Sequence, residues 1–451
     1  FFPPLVNDVI CRFSRPSVLE EVHIRKGYKQ SRRHTKSMTP QNSKIDIHNY
    51  DRNYEQTRNH LKNVDMSDQN RQLILDFQRA CLLRESLSKP RVIRIMQALS
   101  IIARRYIGCD FDKMDKRAVE EMVLKIESQK YSVWTKQSYK AIIKKFFKWI
   151  YHKDDYTTVQ EYPPIVNWIR TNVKKKDRPR VKASDLLTEE EVRRMMNVAQ
   201  HPRDKAFISM LYELGARIGE IGGLRVKDLA RDEHSFIVDL SGKTGHRTPR
   251  IVISDPYLTA WLEVHPLRDD RYAPLWVLLG RNSKHMEYGT FRRVVQRIKY
   301  KAGVEKRLYH HLFRHTRATH LLMNKQINEA QAKVYFGWVP DSKMLSEYSH
   351  LMSSDVNRAI LEIHGIKTKG VEKPLLEPKQ CHRCSKINGV EARFCYHCGL
   401  ILDVKTAVEL DAKRSKGDNI LDKLMEDPDI RKAIAKKMID IGLKDEIVNL
   451  K

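Results

Sequence analysis

Two arginines, a histidine, a tryptophan and a tyrosine stand in an order that suits one kind of chemistry. Arg217 lies within Gly215-Ala-Arg-Ile-Gly-Glu-Ile-Gly-Gly-Leu224. Downstream come His311-Leu-Phe-Arg-His-Thr-Arg-Ala-Thr-His320, then Phe336-Gly-Trp338, then Tyr348. Guanidiniums are permanently charged and planar, so Arg217 and Arg314 could clamp the non-bridging oxygens of a phosphate as it gains negative charge. His311 falls one turn before Arg314 and could reach the same phosphate. An imidazole that titrates near neutrality can carry protons to or from a phenol. The Tyr348 phenol, with an ordinary pKa of about 10, is a workable nucleophile and an adequate leaving group. Such a covalent phosphoryl intermediate keeps the energy of the broken bond, so rejoining needs neither metal nor ATP. Trp338 would offer its indole N–H to the phosphate and floor the site. Glu220 is expected to buttress Arg217, and His310, His315 and His320 to be structural. Tyr335 and Tyr309 are rival nucleophiles.

A second group suits metal binding. Cys381-His-Arg-Cys384 and Cys395-Tyr-His-Cys398 form C-x2-C-x10-C-x2-C. Four thiolates at that spacing predict one closed, tetrahedral, structural zinc per chain on two knuckle turns, a zinc ribbon, with Gly399 suited to the second turn. His382 and His397 are alternative ligands, though thiolates fit zinc better. Arg383, Lys386 and Arg393 make either a DNA or a protein contact plausible for the ribbon.

The ordered motifs around Arg217, His311, Arg314, Trp338 and Tyr348 resemble the tyrosine recombinase, or phage-type integrase, family. The Phe-Gly-Trp variant and the cysteine ribbon look most like its archaeal integrases. The resemblance implies a 3′-phosphotyrosyl intermediate on double-stranded DNA, four protomers on two DNA sites, and no catalytic metal. It also implies that Lys243, in a hairpin turn, protonates the leaving 5′-oxygen. The expected function is site-specific recombination: integrating or excising a mobile element, or resolving DNA dimers. A type IB-like topoisomerase and a catalytically inactive DNA-binding relative are the alternatives.

The elements that must position these groups are mainly helical. Leu73, Ile74, Phe77, Ala80, Cys81 and Leu83 trace one apolar stripe, Val92, Ile95, Ala98 and Ile101 another, and Val119, Met122, Val123 and Ile126 a third. Tyr139, Ile142, Ile143, Phe146, Phe147 and Ile150 trace a fourth, with Lys136, Lys140, Lys144, Lys145 and Lys148 around it as possible DNA contacts. Thr188 and Glu191 make a capping box that opens a new helix. Ser235–Leu240 and Arg250–Ile253 read as strands joined through the turn Gly242-Lys-Thr-Gly245. The fold class is therefore mainly α with a small β-hairpin or sheet. Expected boundaries are a disordered basic extension over 1–60, a helical core-binding, SAM-like domain over 61–171, and a basic linker over 172–187. A catalytic domain over 188–366, a zinc ribbon over 377–402 and a helical tail over 403–451 follow.

Composition supports a polyanion binder. In 451 residues, 84 Lys and Arg against 56 Asp and Glu leave a formal net charge of +28, while 41% of residues are hydrophobic. That is enough apolar material for real cores, and the charge excess points to nucleic acid ahead of acidic membranes. No stretch approaches a membrane span. Seven cysteines, an odd number, argue against a secreted disulfide framework. The chain is expected to be cytoplasmic. It opens on Phe1-Phe-Pro-Pro, and Met38 is the expected true start.

Overall fold

The computed structural model describes residues 45–174, 177, 181–242, 245–280, 283–323, 327–339, 341–342 and 376–441. The first layer is helical: α1 (Tyr50–Asn63), α2 (Asp68–Leu83), α3 (Lys89–Arg105), α4 (Lys116–Glu127), α5 (Val133–His152) and a one-turn α6 (Pro164–Asn167). Ser67, Asp115 and Ser132 each accept a first-turn backbone N–H, which fixes where α2, α4 and α5 begin. Their apolar stripes meet in one core, where Phe146 lies 4.9 Å from Phe111 and 5.2 Å from Phe77 between ring centroids.

Two expectations change here. Helix α1 starts at Tyr50, inside the stretch assigned to a disordered extension. Its buried residues are Tyr54 and Leu61, too sparse a pattern for periodicity to register. The lysines of α5 are not an open face either. Lys140 pairs with Glu127 at 2.7 Å, Lys145 pairs with Glu85, and Lys144 donates to the carbonyls of Asn167 and Ile169. They tie α5 to its neighbours.

The second layer opens at α7 (Glu189–Val198), where Thr188 and Glu191 form both arms of the capping box at 3.1 and 2.8 Å. Helix α8 (Pro202–Leu214) is buried along its whole length and is the axis around which the unit packs. A five-residue α9 (Ile218–Gly222) follows, then two antiparallel pairs, β1 (Leu229–Arg231) with β2 (Phe236–Val238) and β3 (Leu240–Gly242) with β4 (Gly245–Arg247). Helices α10 (Asp255–Glu263), α11 (Tyr288–Lys301), α12 (His310–Met323) and α13 (Glu329–Phe336) complete it.

Gly242 and Gly245 pair where the sequence predicts a turn between them, but the second strand does not form as predicted. Val238 N–H donates to the Pro249 carbonyl and Ile251 N–H to Phe236, and there the ladder ends. The buried Glu213 carboxylate accepts the N–H groups of Val252, Ile253 and Ser254 at 2.6, 2.9 and 2.7 Å, so they cannot pair with a strand. A third set of elements comprises β5 (Lys379–Gln380), β6 (Ile387–Asn388), α14 (Val404–Glu426) and α15 (Pro428–Asp440). No described helix is long and apolar enough to cross a membrane.

Candidate active site and metal centre

Arg314 is held from two sides. Helix α8 ends in Gly215, whose φ of 50° is left-handed and costs glycine little. A Cβ at that position would also meet the Phe336 ring at 2.7 Å. The Gly215 carbonyl accepts from one Arg314 terminal nitrogen at 3.0 Å, and the Phe336 carbonyl accepts from the other at 2.7 Å. Arg314 is 1% exposed, yet two carbonyls orient its guanidinium without cancelling the charge. After α13, Gly337 again turns left-handed and lets Trp338 stack on Phe336 at 5.0 Å. Both rings lie against the Arg314 guanidinium, at 5.4 and 5.7 Å.

Arg217 is the N-cap of α9 and keeps 35% of its side chain exposed. Glu220, buried beneath it, accepts from the Arg217 backbone at 3.1 Å, from its guanidinium at 2.9 Å, and from Arg247 at 2.8 Å. Burial pushes the Glu220 carboxyl up, but the bonds and charges of Arg247 and Arg217 more than offset that and hold it below the ordinary range. Strand β3 passes so close that a Cβ on Gly242 would run into a Glu220 carboxylate oxygen. Arg247 in turn abuts Gly337, where a Cβ would come within 2.9 Å of its guanidinium. Arg247 thus links α9, the hairpin and the end of α13. Sequence reasoning missed Arg247; its place two residues past Gly245, on the buried face of β4, was the available signal.

His311 is solvent-exposed, and its ring stands perpendicular to that of His315 at 4.7 Å. Its pKa is lowered to about 4, through desolvation and then the charges of His315, Arg314 and Arg217. The near-neutral titration expected of His311 is corrected accordingly: the cluster keeps this imidazole neutral. Tyr335 is a poor rival nucleophile, since burial pushes its phenol up and its hydroxyl donates to the Glu213 carbonyl at 2.7 Å. His320 bonds the Tyr212 hydroxyl at 2.9 Å, a structural role. The structure brings Arg217 and Arg314 within electrostatic reach of His311, and sets Trp338 against the Arg314 guanidinium. Lys243 and Tyr348 lie outside the described residues.

The four cysteines also converge. Their sulfurs all lie within 4.8 Å of one another, with Cys381–Cys398 and Cys384–Cys395 at 3.5 Å. Ligands about 2.3 Å from a tetrahedral zinc would sit about 3.8 Å apart, so the set fits a closed four-thiolate centre. Ser385 and Gly399, each left-handed, donate back to the Cys381 and Cys395 carbonyls at 2.8 and 2.9 Å, forming the two knuckles. His382 and His397 are exposed and outside the set. The ribbon is docked on the second layer. Leu376 is 2% exposed in that core, Glu391 pairs with Arg193 at 2.6 Å, and Gly389 lies so close to Tyr257 that a Cβ would approach its hydroxyl to 2.8 Å.

Residues 185–354 match the model of the Phage integrase family. Over 123 residues the chain is 28% identical to the tyrosine recombinase XerC of Alcanivorax borkumensis, covering 27% of this chain and 39% of that one. Over 137 residues it is 33% identical to the tyrosine recombinase XerA of Pyrococcus horikoshii, covering 30% and 47%. The chain therefore spans less than half the length of either relative. The solved Tn1549 transposon integrase in complex with transposon right-end DNA is similar at a TM-score of 0.48 and 20% identity, covering 65% of this chain and 99% of that one. The matched segment carries Arg217, His311, Arg314 and Trp338, and through it the chain is similar to the phage integrase family and to tyrosine recombinases.

Proposed function

We propose that this chain is a site-specific DNA recombinase that cuts and rejoins double-stranded DNA through a 3′-phosphotyrosyl intermediate. The observation that carries the reading is the convergence of Arg217 and Arg314 beside His311. Arg217 and Arg314 hold the two non-bridging oxygens of the scissile phosphate, and their charge offsets the charge that builds in the transition state. Neutral His311 accepts the Tyr348 proton as the phenolic oxygen bonds to phosphorus. The bond from phosphorus to the 5′-oxygen breaks, and Lys243 supplies the proton that the leaving 5′-hydroxyl takes. Rejoining reverses each transfer, with a 5′-hydroxyl of the partner strand attacking and Tyr348 leaving. Trp338 packs the floor and turns its indole edge to the phosphate.

The four cysteines hold one structural zinc, and no catalytic metal or ATP enters the cycle. The active assembly is a homotetramer on two DNA sites, acting in the cytoplasm on integration, excision or dimer resolution. The test is a nicked suicide substrate carrying a candidate site. The expected result is a covalent protein–DNA adduct mapped to Tyr348 and absent in Tyr348→Phe. An adduct on another residue, or relaxation by one protomer without exchanged flanks, would overturn the reading.

A further inference from the structure

The residues just before α1 pack with a layer to which their own helix does not belong. Tyr54 and Leu61 of α1 sit in the first core, but Ile47, three residues before the helix, is 2% exposed in the second. Its carbonyl accepts the N–H of Tyr288, the first residue of α11, at 2.8 Å. Its side chain presses on α9: a Cβ on Gly222 would lie 2.8 Å from Ile47 Cδ1. Gly222 ends the short helix whose N-cap is Arg217.

His48 extends the contact. Its ring lies 4.8 Å from Tyr288, whose ring lies 5.4 Å from His310, the residue before His311. A Cβ on Gly219 would stand 3.9 Å from His48 Nε2. The segment is itself braced: the Asp46 carboxylate accepts from the His48 and Tyr50 backbones at 2.9 and 2.6 Å, and Asn53 donates to the His48 carbonyl at 2.7 Å. A cleft of about 410 Å³ has Ile47, His48, Arg217, Glu220 and Gly242 among its walls.

We propose that Asp46–Tyr50 is a positioning strap for the active site. Ile47 sets α9, and so the aim of Arg217; His48, through Tyr288 and His310, sets the start of α12, and so His311. The first layer thereby reaches the chemistry from a side independent of the 172–187 linker. The strap touches no substrate, and its catalytic meaning rests on the recombinase reading above.

The test uses the full chain with Ile47→Ala, Ile47→Val and His48→Ala. DNA affinity and single-turnover adduct formation on the nicked substrate are measured separately, and hydrogen exchange is followed over 217–222 and 310–314. Ile47→Ala is expected to slow adduct formation by roughly 10²-fold, the scale of a small misplacement of catalytic groups, with DNA affinity nearly unchanged. Ile47→Val should recover most of the rate, and His48→Ala should lose part of it. Exchange in both segments should rise about tenfold in Ile47→Ala. Unchanged exchange there, or faster adduct formation in either alanine variant, overturns the strap; the latter would mean that it blocks the cleft. A wild-type chain that forms no adduct counts against the recombinase reading alone, because the exchange result still decides the strap.

Discussion

Helices α5 and α12 are both crowded with basic side chains and treat them in opposite ways. On α5, Lys140 and Lys145 meet carboxylates, and Lys144 meets two carbonyls. On α12, Arg314 is gripped by carbonyl oxygens, Arg317 donates to the Glu213 carbonyl, and His310, His311 and His320 are each lowered to about 4. Burial is the first cause for all three imidazoles, and neighbouring positive groups add to it. The first helix spends its charge on holding the fold. The second concentrates positive potential that an arriving anion would relieve.

The sharpest way to break this comparison is Arg217→Ala. Adduct formation on the nicked substrate should fall by about 10²–10³, the usual cost of one preorganised donor. A loss below threefold would remove Arg217 from the chemistry. Next is Glu220→Gln, which leaves Arg217 and Arg247 without their shared countercharge. Denaturant unfolding should show a loss of about 3 kcal/mol, the scale for breaking a buried ion pair.

The histidines of α12 give a smaller, graded effect. An imidazole with a folded pKa of about 4, against about 6.5 unfolded, takes up its proton on unfolding throughout that window. Their contribution is complete above about pH 6.5 and is lost as pH falls toward 4. The melting temperature should drop across that window, and His320→Gln should flatten the drop. A flat profile would mean that these imidazoles are not held neutral. The smallest effect is expected from Lys140→Ala: less than about 1 kcal/mol of stability, as for exposed pairs, and no change in the salt dependence of DNA binding. A shallower salt slope would make Lys140 a phosphate contact and return α5 to the DNA-binding face.

The chemistry was more legible in the sequence than the supports around it. The capping box at Thr188 and the knuckle turns are local: their residue types determine their geometry within a few positions, and the structure has both. Arg217, His311 and Arg314 could be picked out because few residue types suit a phosphate. The strap could not, since Ile47 looks like any isolated apolar residue until α9 and α11 come to meet it. The strand expected at 250–253 failed for a similar reason. Its run of β-branched residues suits a strand, but Glu213, far back in the chain, claims its amides. Nor does residue type alone fix the acidity of His311, which burial lowers first, then His315 and Arg314 on its own helix and Arg217 from a distant segment.

That grip by Glu213 has a further consequence. A single buried carboxylate there does the work that a partner strand would otherwise do, for a stretch of chain that leaves the sheet. A substitution removing it would orphan three donors at once, two of them at buried residues, where water cannot take its place.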